Sequence, residues 1–177
     1  MPFKIITLRH ILSVAAGLIV SLSAFAQNQP NHAFEITIRP TQSYIKVTDL
    51  ITLGENLEQK NEFRFLLHKD LIIESPAGLK PQLIISEQLQ SIAEKISVPL
   101  HQYNIPLTSN QKQLTISYRG RISHSLTKPE EESARSFSKT AGLIDKEGIF
   151  LAKSTAWYPL SEQELVTFSA QIELPSS

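Results

Sequence analysis

The sequence contains no cysteine, and only six of its 177 residues are glycine. The absence of cysteine excludes disulfides, thiolate metal sites and thiol nucleophiles, so packing must stabilise the fold. The scattered glycines form no glycine-rich turn between a strand and a helix, which excludes the common phosphate-binding loops. Basic and acidic residues number 17 each. This balance gives no indication of a nucleic-acid partner or of an anionic membrane surface.

Recognisable catalytic motifs are also missing. The sequence has no His-Glu-x-x-His and no Gly-x-Ser-x-Gly. The histidines that follow the amino-terminal segment are isolated, and we interpret each as a surface or turn residue: His32, His68, His101 and His124. The sequence therefore predicts no catalytic residue, no cofactor site and no metal site. A carboxylate pair brought together by strands is the enzymatic alternative that the sequence leaves open.

The amino-terminal segment resembles a secretory signal. Lys4 and Arg9 precede an apolar stretch, and Ala24-Phe25-Ala26 is a small-x-small cleavage site. An uncleaved anchor is the competing interpretation, but the apolar stretch is shorter than the roughly 20 residues that span a bilayer. We therefore predict a signal peptide over residues 1–26, a periplasmic or secreted destination and no stable membrane anchor. Residues 27–177 then form a single domain.

Alternating apolar and polar residues recur along the rest of the chain, which is the pattern of β-strands. Pro106 predicts an edge strand around it, because proline cannot donate to a central ladder. The last segment, 166–174, alternates so regularly that it predicts a half-buried strand. The sequence indicates an all-β domain, built as an antiparallel sandwich or a curved saddle-shaped sheet. The predicted strands lie at 34–39, 45–53, 63–67, 71–73, 103–107, 114–119, 142–144, 148–151 and 166–174.

Two segments depart from this pattern. Ile85, Leu89, Ile92 and Ile96 recur at helical spacing and favour one short helix near 86–97, with a pair of irregular strands as the alternative. Residues 127–140 hold few apolar side chains and an acidic triplet, Glu130 to Glu132. We interpret them as a mobile, solvated loop rather than a cation site, since no glycine-bearing loop of spaced oxygen ligands accompanies the triplet.

The order of several short motifs resembles the amino-terminal β domain of gluzincin zinc aminopeptidases, the alanyl aminopeptidase family. The resemblance extends from about His32 to Pro175. An opening strand at 32–36, a proline-containing turn and a second strand at 45–53 also fit that domain. The motifs are Tyr118-Arg119-Gly120-x-Ile122, Gly142-x-Ile144, Gly148-Ile149-Phe150-Leu151, Trp157-Tyr158-Pro159 and Glu173-Leu174-Pro175.

The resemblance implies a saddle-shaped β domain that packs against a thermolysin-like catalytic domain. The family's zinc-binding His-Glu-x-x-His and its Gly-x-Met-Glu-Asn motif lie beyond that domain, and neither occurs here. The segment 152–156 also lacks the Gln or Glu that many members contribute to the substrate amine site. The resemblance thus implies a non-catalytic, truncated or split form that is the scaffold for a zinc metallopeptidase domain, on another chain or lost. Zinc is expected only in that separate domain.

A second hypothesis is a free-standing periplasmic β-sandwich module that binds a peptide, a glycan or a partner protein. Trp157 and Tyr158 are the candidate interface residues, because flat rings contribute strongly to binding. Two interpretations of this pair stay open. The rings form an exposed platform, or Trp157 fills the core or an interface with another domain.

Overall fold

The computed structural model describes residues 29–54, 61–84, 86–126, 140–162 and 165–175. Within these ranges the chain is all-β with one short helix, which confirms the predicted fold class. Two 3-10 helices, Pro40–Gln42 and Lys153–Thr155, complete the regular structure. The strands are β1 (Asn31–Arg39), β2 (Tyr44–Thr52), β3 (Glu62–His68), β4 (Leu71–Ser75), β5 (Leu100–Pro106), β6 (Gln113–Arg121), β7 (Leu143–Ile144), β8 (Ile149–Phe150), β9 (Leu160–Ser161) and β10 (Thr167–Glu173), and the helix is α1 (Glu87–Ala93).

The strands form two main sheets and a small hairpin. The larger sheet has the order β10-β1-β2-β6-β4, and the smaller has the order β5-β3-β9. Neighbouring strands run antiparallel, except that β10 runs parallel to β1. Strands β7 and β8 pair with each other, and Leu143 of β7 also forms an isolated bridge with Ser123. The first and last strands of the described chain are therefore neighbours in the larger sheet.

The main core lies between the two sheets. Alternate residues of β1, β2 and β6 face the smaller sheet, as the period of two requires. Phe63, Phe65 and Tyr103 of the smaller sheet pack into the same cluster. The outer face of the larger sheet is mostly polar. On this face the Glu74 carboxylate forms ion pairs with Lys46 Nζ at 3.4 Å and with Arg119 Nε at 2.6 Å. One face of β1, β2 and β6 is thus buried, and their opposite face is solvated.

Helix α1 packs against the face of β3 that points away from the main core, where it contacts Leu66. At the amino terminus of the helix, the Ser86 hydroxyl accepts a hydrogen bond from the Leu89 amide, as expected for an N-cap residue. Leu89 is fully buried in a second cluster with Leu66 and Leu160. The helix predicted near 86–97 is therefore present over a shorter span, because only Leu89 of its apolar residues is fully buried.

Two predictions about individual strands had different outcomes. Pro106 ends β5, which lies at an edge of the smaller sheet, as predicted. Strand β10 is not half-buried: every residue from Thr167 to Glu173 is exposed. The alternation predicted the strand correctly but not its burial, because in the described structure β10 pairs with β1 alone and its inner face is left open.

Several predictions fall outside the residues that can be described. The predicted signal peptide, 1–26, lies there entirely, as does the predicted loop at 127–140 apart from Thr140. Within the described ranges, no helix has the length and apolar character needed to cross a bilayer.

Candidate functional site

Trp157 and Tyr158 follow the 3-10 helix Lys153–Thr155 and pack against the inner face of β1. The ring centroids of Trp157 and Phe34 lie 5.0 Å apart, and those of Trp157 and Tyr158 lie 5.2 Å apart. Tyr158 also meets His32 edge to face at 5.8 Å. Both candidate interface residues are partly buried. Each ring therefore contacts the core and keeps part of its surface accessible.

The aromatic cluster continues onto the inner face of β10. The register pairs Phe168 with His32, Ala170 with Phe34 and Ile172 with Ile36, so these β10 residues share the face that is buried in β1. The ring centroids of Phe34 and Phe168 are 6.3 Å apart. We call Phe168, Ala170 and Ile172 the apolar strip. Phe168 is 69% exposed and Ile172 57% exposed, so the strip extends the core face of the sheet into solvent.

The free edge of β10 is open to a further strand. The Thr167 amide donates to the carbonyl oxygen of Pro30, which directs the backbone polar groups of Thr167 toward β1. Because these directions alternate along a strand, the amides and carbonyls of the apolar strip point away from β1. No described strand pairs with that edge. Strand β10 also lacks the lysine, arginine, proline or bulge that commonly blocks edge pairing.

A buried acid and a buried histidine lie beneath the aromatic cluster. His32 Nδ1 and Asp49 Oδ2 are 2.7 Å apart, and both side chains are almost completely buried. Burial raises the pKa of Asp49, and its hydrogen bond to His32 opposes that shift. The second carboxylate oxygen of Asp49 and the hydroxyl of Tyr118 are buried without a hydrogen-bond partner among the described residues. Tyr118 lies in the same core, and burial raises its pKa well above the usual value.

A second histidine contact involves His68, the last residue of β3 in the smaller sheet. His68 Nε2 and His124 Nε2 are 2.9 Å apart, and His68 Nδ1 accepts from the Asp70 amide at 3.1 Å. His68 is buried and His124 is partly buried. Burial lowers the pKa of His68, the nearby Asp70 carboxylate opposes this, and His124 and Lys69 add to it.

These two contacts were not predicted from the sequence. His32 and His68 are buried rather than on the surface, and His68 and His124 meet although 56 residues separate them. One signal was present: Asp49 is a carboxylate on the otherwise apolar face of β2, and a buried carboxylate needs a partner. His32 lies diagonally across the ladder on the same face, since the register pairs Asp49 with Phe34 and His32 with Ile51. No comparable signal links His68 to His124, because only the tertiary fold brings them together.

The described residues contain no group of three or more His, Cys, Asp or Glu side chains arranged to hold a metal ion. Depressions on the outer face of the larger sheet are open to solvent; one is lined by residues such as Thr48, Ser169 and Gln171, and another by residues such as Tyr44, Glu74 and Arg119. The apolar strip and the open edge of β10 are therefore the surface best suited to binding.

No protein-family model matches the chain, and neither a curated protein nor a solved structure matches it. The resemblance to aminopeptidase amino-terminal domains therefore stays a prediction from the sequence motifs.

Proposed function

We propose that this chain is a non-catalytic periplasmic β domain that serves as the scaffold for a zinc metallopeptidase domain carried on another polypeptide. The observation that supports docking is the apolar strip, which continues the buried face of β1 into solvent. Fully burying a side chain of the size of Phe168 or Ile172 contributes about 1.5–3 kcal/mol, so a partner gains substantially by covering the strip. The sequence resemblance supplies the kind of partner.

Absence of peptidase activity in the chain alone is the first expectation. The processed protein, supplied with zinc and a chromogenic aminoacyl amide, should show no turnover above buffer. Turnover that depends on zinc and disappears with a chelator would overturn the non-catalytic assignment.

Docking is tested by co-purification with secreted proteins of the same organism that carry His-Glu-x-x-His. Ile172→Asp places a charge on the apolar strip and should abolish the complex. Gln171→Asp is the matched control, because it alters the neighbouring exposed residue on the opposite face of β10. Failure of every such protein to co-purify, or equal loss with both variants, would overturn the scaffold proposal.

A second candidate function is supported by the open edge of β10. An extended peptide can add to such an edge through main-chain hydrogen bonds, with alternate side chains giving specificity. Hydrogen exchange distinguishes this mode from docking on the face. A peptide on the edge protects the outward amides of Phe168, Ala170 and Ile172, whereas a domain covering only the face changes Trp157 fluorescence and leaves these amides exchanging rapidly.

A further inference from the structure

The contact between His68 and His124 joins two parts of the chain that no strand pairing connects directly. His68 ends β3 and precedes the turn to β4, whereas His124 follows β6. The His124 amide donates to the carbonyl of Gly142 at 2.9 Å, and the Thr140 hydroxyl donates to the carbonyl of His124 at 3.3 Å. The two rings therefore link the β3–β4 turn to the segment around residues 122–126 and 140–142.

The hydrogen bonds around the rings define their tautomers. Since the Asp70 amide donates to His68 Nδ1, that nitrogen carries no proton, and neutral His68 carries its proton on Nε2. This proton is donated to His124 Nε2 at 2.9 Å. Neutral His124 must then carry its own proton on Nδ1. The arrangement holds one proton between the rings and satisfies both facing nitrogens.

An additional proton has no favourable position in this arrangement. On His68 Nδ1 it would face the Asp70 amide hydrogen, and on His124 Nε2 it would face the His68 proton. Moving the His68 proton to Nδ1 frees its Nε2 but breaks the hydrogen bond from Asp70. We propose that the His68–His124 contact is an acid-released clasp, closed when both rings are neutral and opened when either ring is protonated.

The charges around His68 act in opposing directions. The Asp70 carboxylate Oδ2 is 4.0 Å from His68 Nδ1 and favours the charged ring, but this side chain is 56% exposed and therefore well screened. Burial of His68 disfavours the charged ring, and so do His124 and Lys69. Burial is the largest of these effects, so the net direction favours neutral His68 in the closed clasp.

The direction of the pH effect follows from the lowered pKa of His68. An unfolded histidine titrates near 6.5, so the unfolded chain takes up protons that the closed clasp excludes. The stability from the clasp is complete above about pH 6.5 and is lost as the pH falls through the lowered pKa. Exclusion of the His68 proton can lower the folding equilibrium constant by at most about ten-fold between pH 7.5 and 5.5.

The test compares the unfolding equilibrium of the processed chain at pH 7.5 and 5.5 in urea. His68→Gln keeps a side-chain amide that can donate to His124 but removes the ring whose pKa is lowered, so its folding equilibrium constant should fall less over this interval than that of the unmodified protein. His101→Gln is the matched control and should behave as the unmodified protein does, since among the described residues the His101 ring contacts Tyr103 and lies outside the clasp. Equal pH dependence in all three proteins would overturn the proposal.

Nitrogen chemical shifts of the imidazoles give a readout that does not require a variant to fold. At pH 7.5 His68 should be the Nε2–H tautomer and His124 the Nδ1–H tautomer. Acidification should shift both rings together with the amides of His124 and Ile144. Reversed tautomers, or coordination of Nε2 by zinc added to the chelator-treated protein, would overturn the clasp and indicate a metal site in its place.

Discussion

Two buried polar side chains, Asp49 and Tyr118, determine how the core responds to substitution and to pH. Each has a polar atom that finds no hydrogen-bond partner among the described residues. A buried polar atom without a partner costs about 1–3 kcal/mol, so removing the Tyr118 hydroxyl should not destabilise the core, whereas an apolar replacement of Asp49 would also leave buried His32 without its partner.

Replacing Tyr118 with Phe should leave the protein as stable or raise its free energy of unfolding by up to about 1 kcal/mol, because the unpaired hydroxyl is removed and the ring is kept. Tyr118→Ala should instead lower it by about 3–5 kcal/mol through the cavity that it creates. Urea unfolding followed by Trp157 fluorescence measures both. A loss of more than 1 kcal/mol in the Phe variant would show that the hydroxyl has a partner, such as a buried water.

Asp49 gives the opposite pH dependence to His68. Its pKa is raised, so the contribution of neutral Asp49 to protein stability is fully present below pH 3.8. This contribution is lost as the pH rises through the raised pKa. Asp49→Asn should remove this loss, since the amide cannot ionise. Comparing urea midpoints from pH 3.5 to 7 measures the difference. The exposed Glu35→Gln is the control, and a decline in Asp49→Asn equal to that of the unmodified protein would contradict this account.

At the scale of elements, strand β6 depends on a glycine for its contact with the β3–β4 turn. A Cβ at Gly120 would overlap the backbone carbonyl of Asp70, which cannot move without disturbing β4. Gly120→Ala should therefore lower the free energy of unfolding by more than about 2 kcal/mol. Gly148→Ala meets no atom within 4 Å and should be close to neutral in the same urea experiment. Equal effects at the two positions would contradict the close approach.

Helix α1 is held mainly by one side chain. Leu89 is fully buried, whereas Leu83, shortly before the helix, is 85% exposed. Leu89→Ala should cost about 2–5 kcal/mol and Leu83→Ala almost nothing, because only the first leaves a cavity. Thermal unfolding monitored by circular dichroism distinguishes them. A small effect of Leu89→Ala would mean that the second core cluster does not unfold together with the main core.

Sequence periodicity predicted most of these elements but not their environments. The alternation in β1, β2 and β6 gave their correct inner faces, and Pro106 gave the edge position of β5. The burial of β10 was predicted wrongly, because alternation reports which residues share a face and not whether another layer covers that face. Strand β9 was missed because its two residues lack the charged turn between apolar runs that marked the equally short β7 and β8.

At the scale of the whole molecule, an uncovered sheet face and an open edge occur on the same strand. Such a surface favours self-association of the protein when no partner covers it. The candidate rings Trp157 and Tyr158 were identified from the sequence, but the apolar strip was not, since it depends on the parallel pairing of β10 with β1. That pairing joins segments more than 130 residues apart, as the Asn31–Thr167 side-chain hydrogen bond illustrates.

The isolated domain should therefore associate with itself as its concentration rises, and Ile172→Lys should suppress this association because it places a charge within the apolar strip. Sedimentation velocity over a concentration series measures the effect. Gln171→Lys, on the opposite face, should suppress it less. A monomer at every concentration, or equal effects of the two variants, would show that the strip does not drive association.

The parallel pairing of β1 with β10 also determines the order in which the molecule is assembled. During synthesis β1 emerges before β2 and can pair with it early. The other edge of β1 stays unpaired until residues 167–173 have left the ribosome. Any extended segment that reaches β1 earlier competes with β10 for the same ladder. Because β10 pairs with β1 alone, a foreign strand that replaces it disrupts only this one ladder.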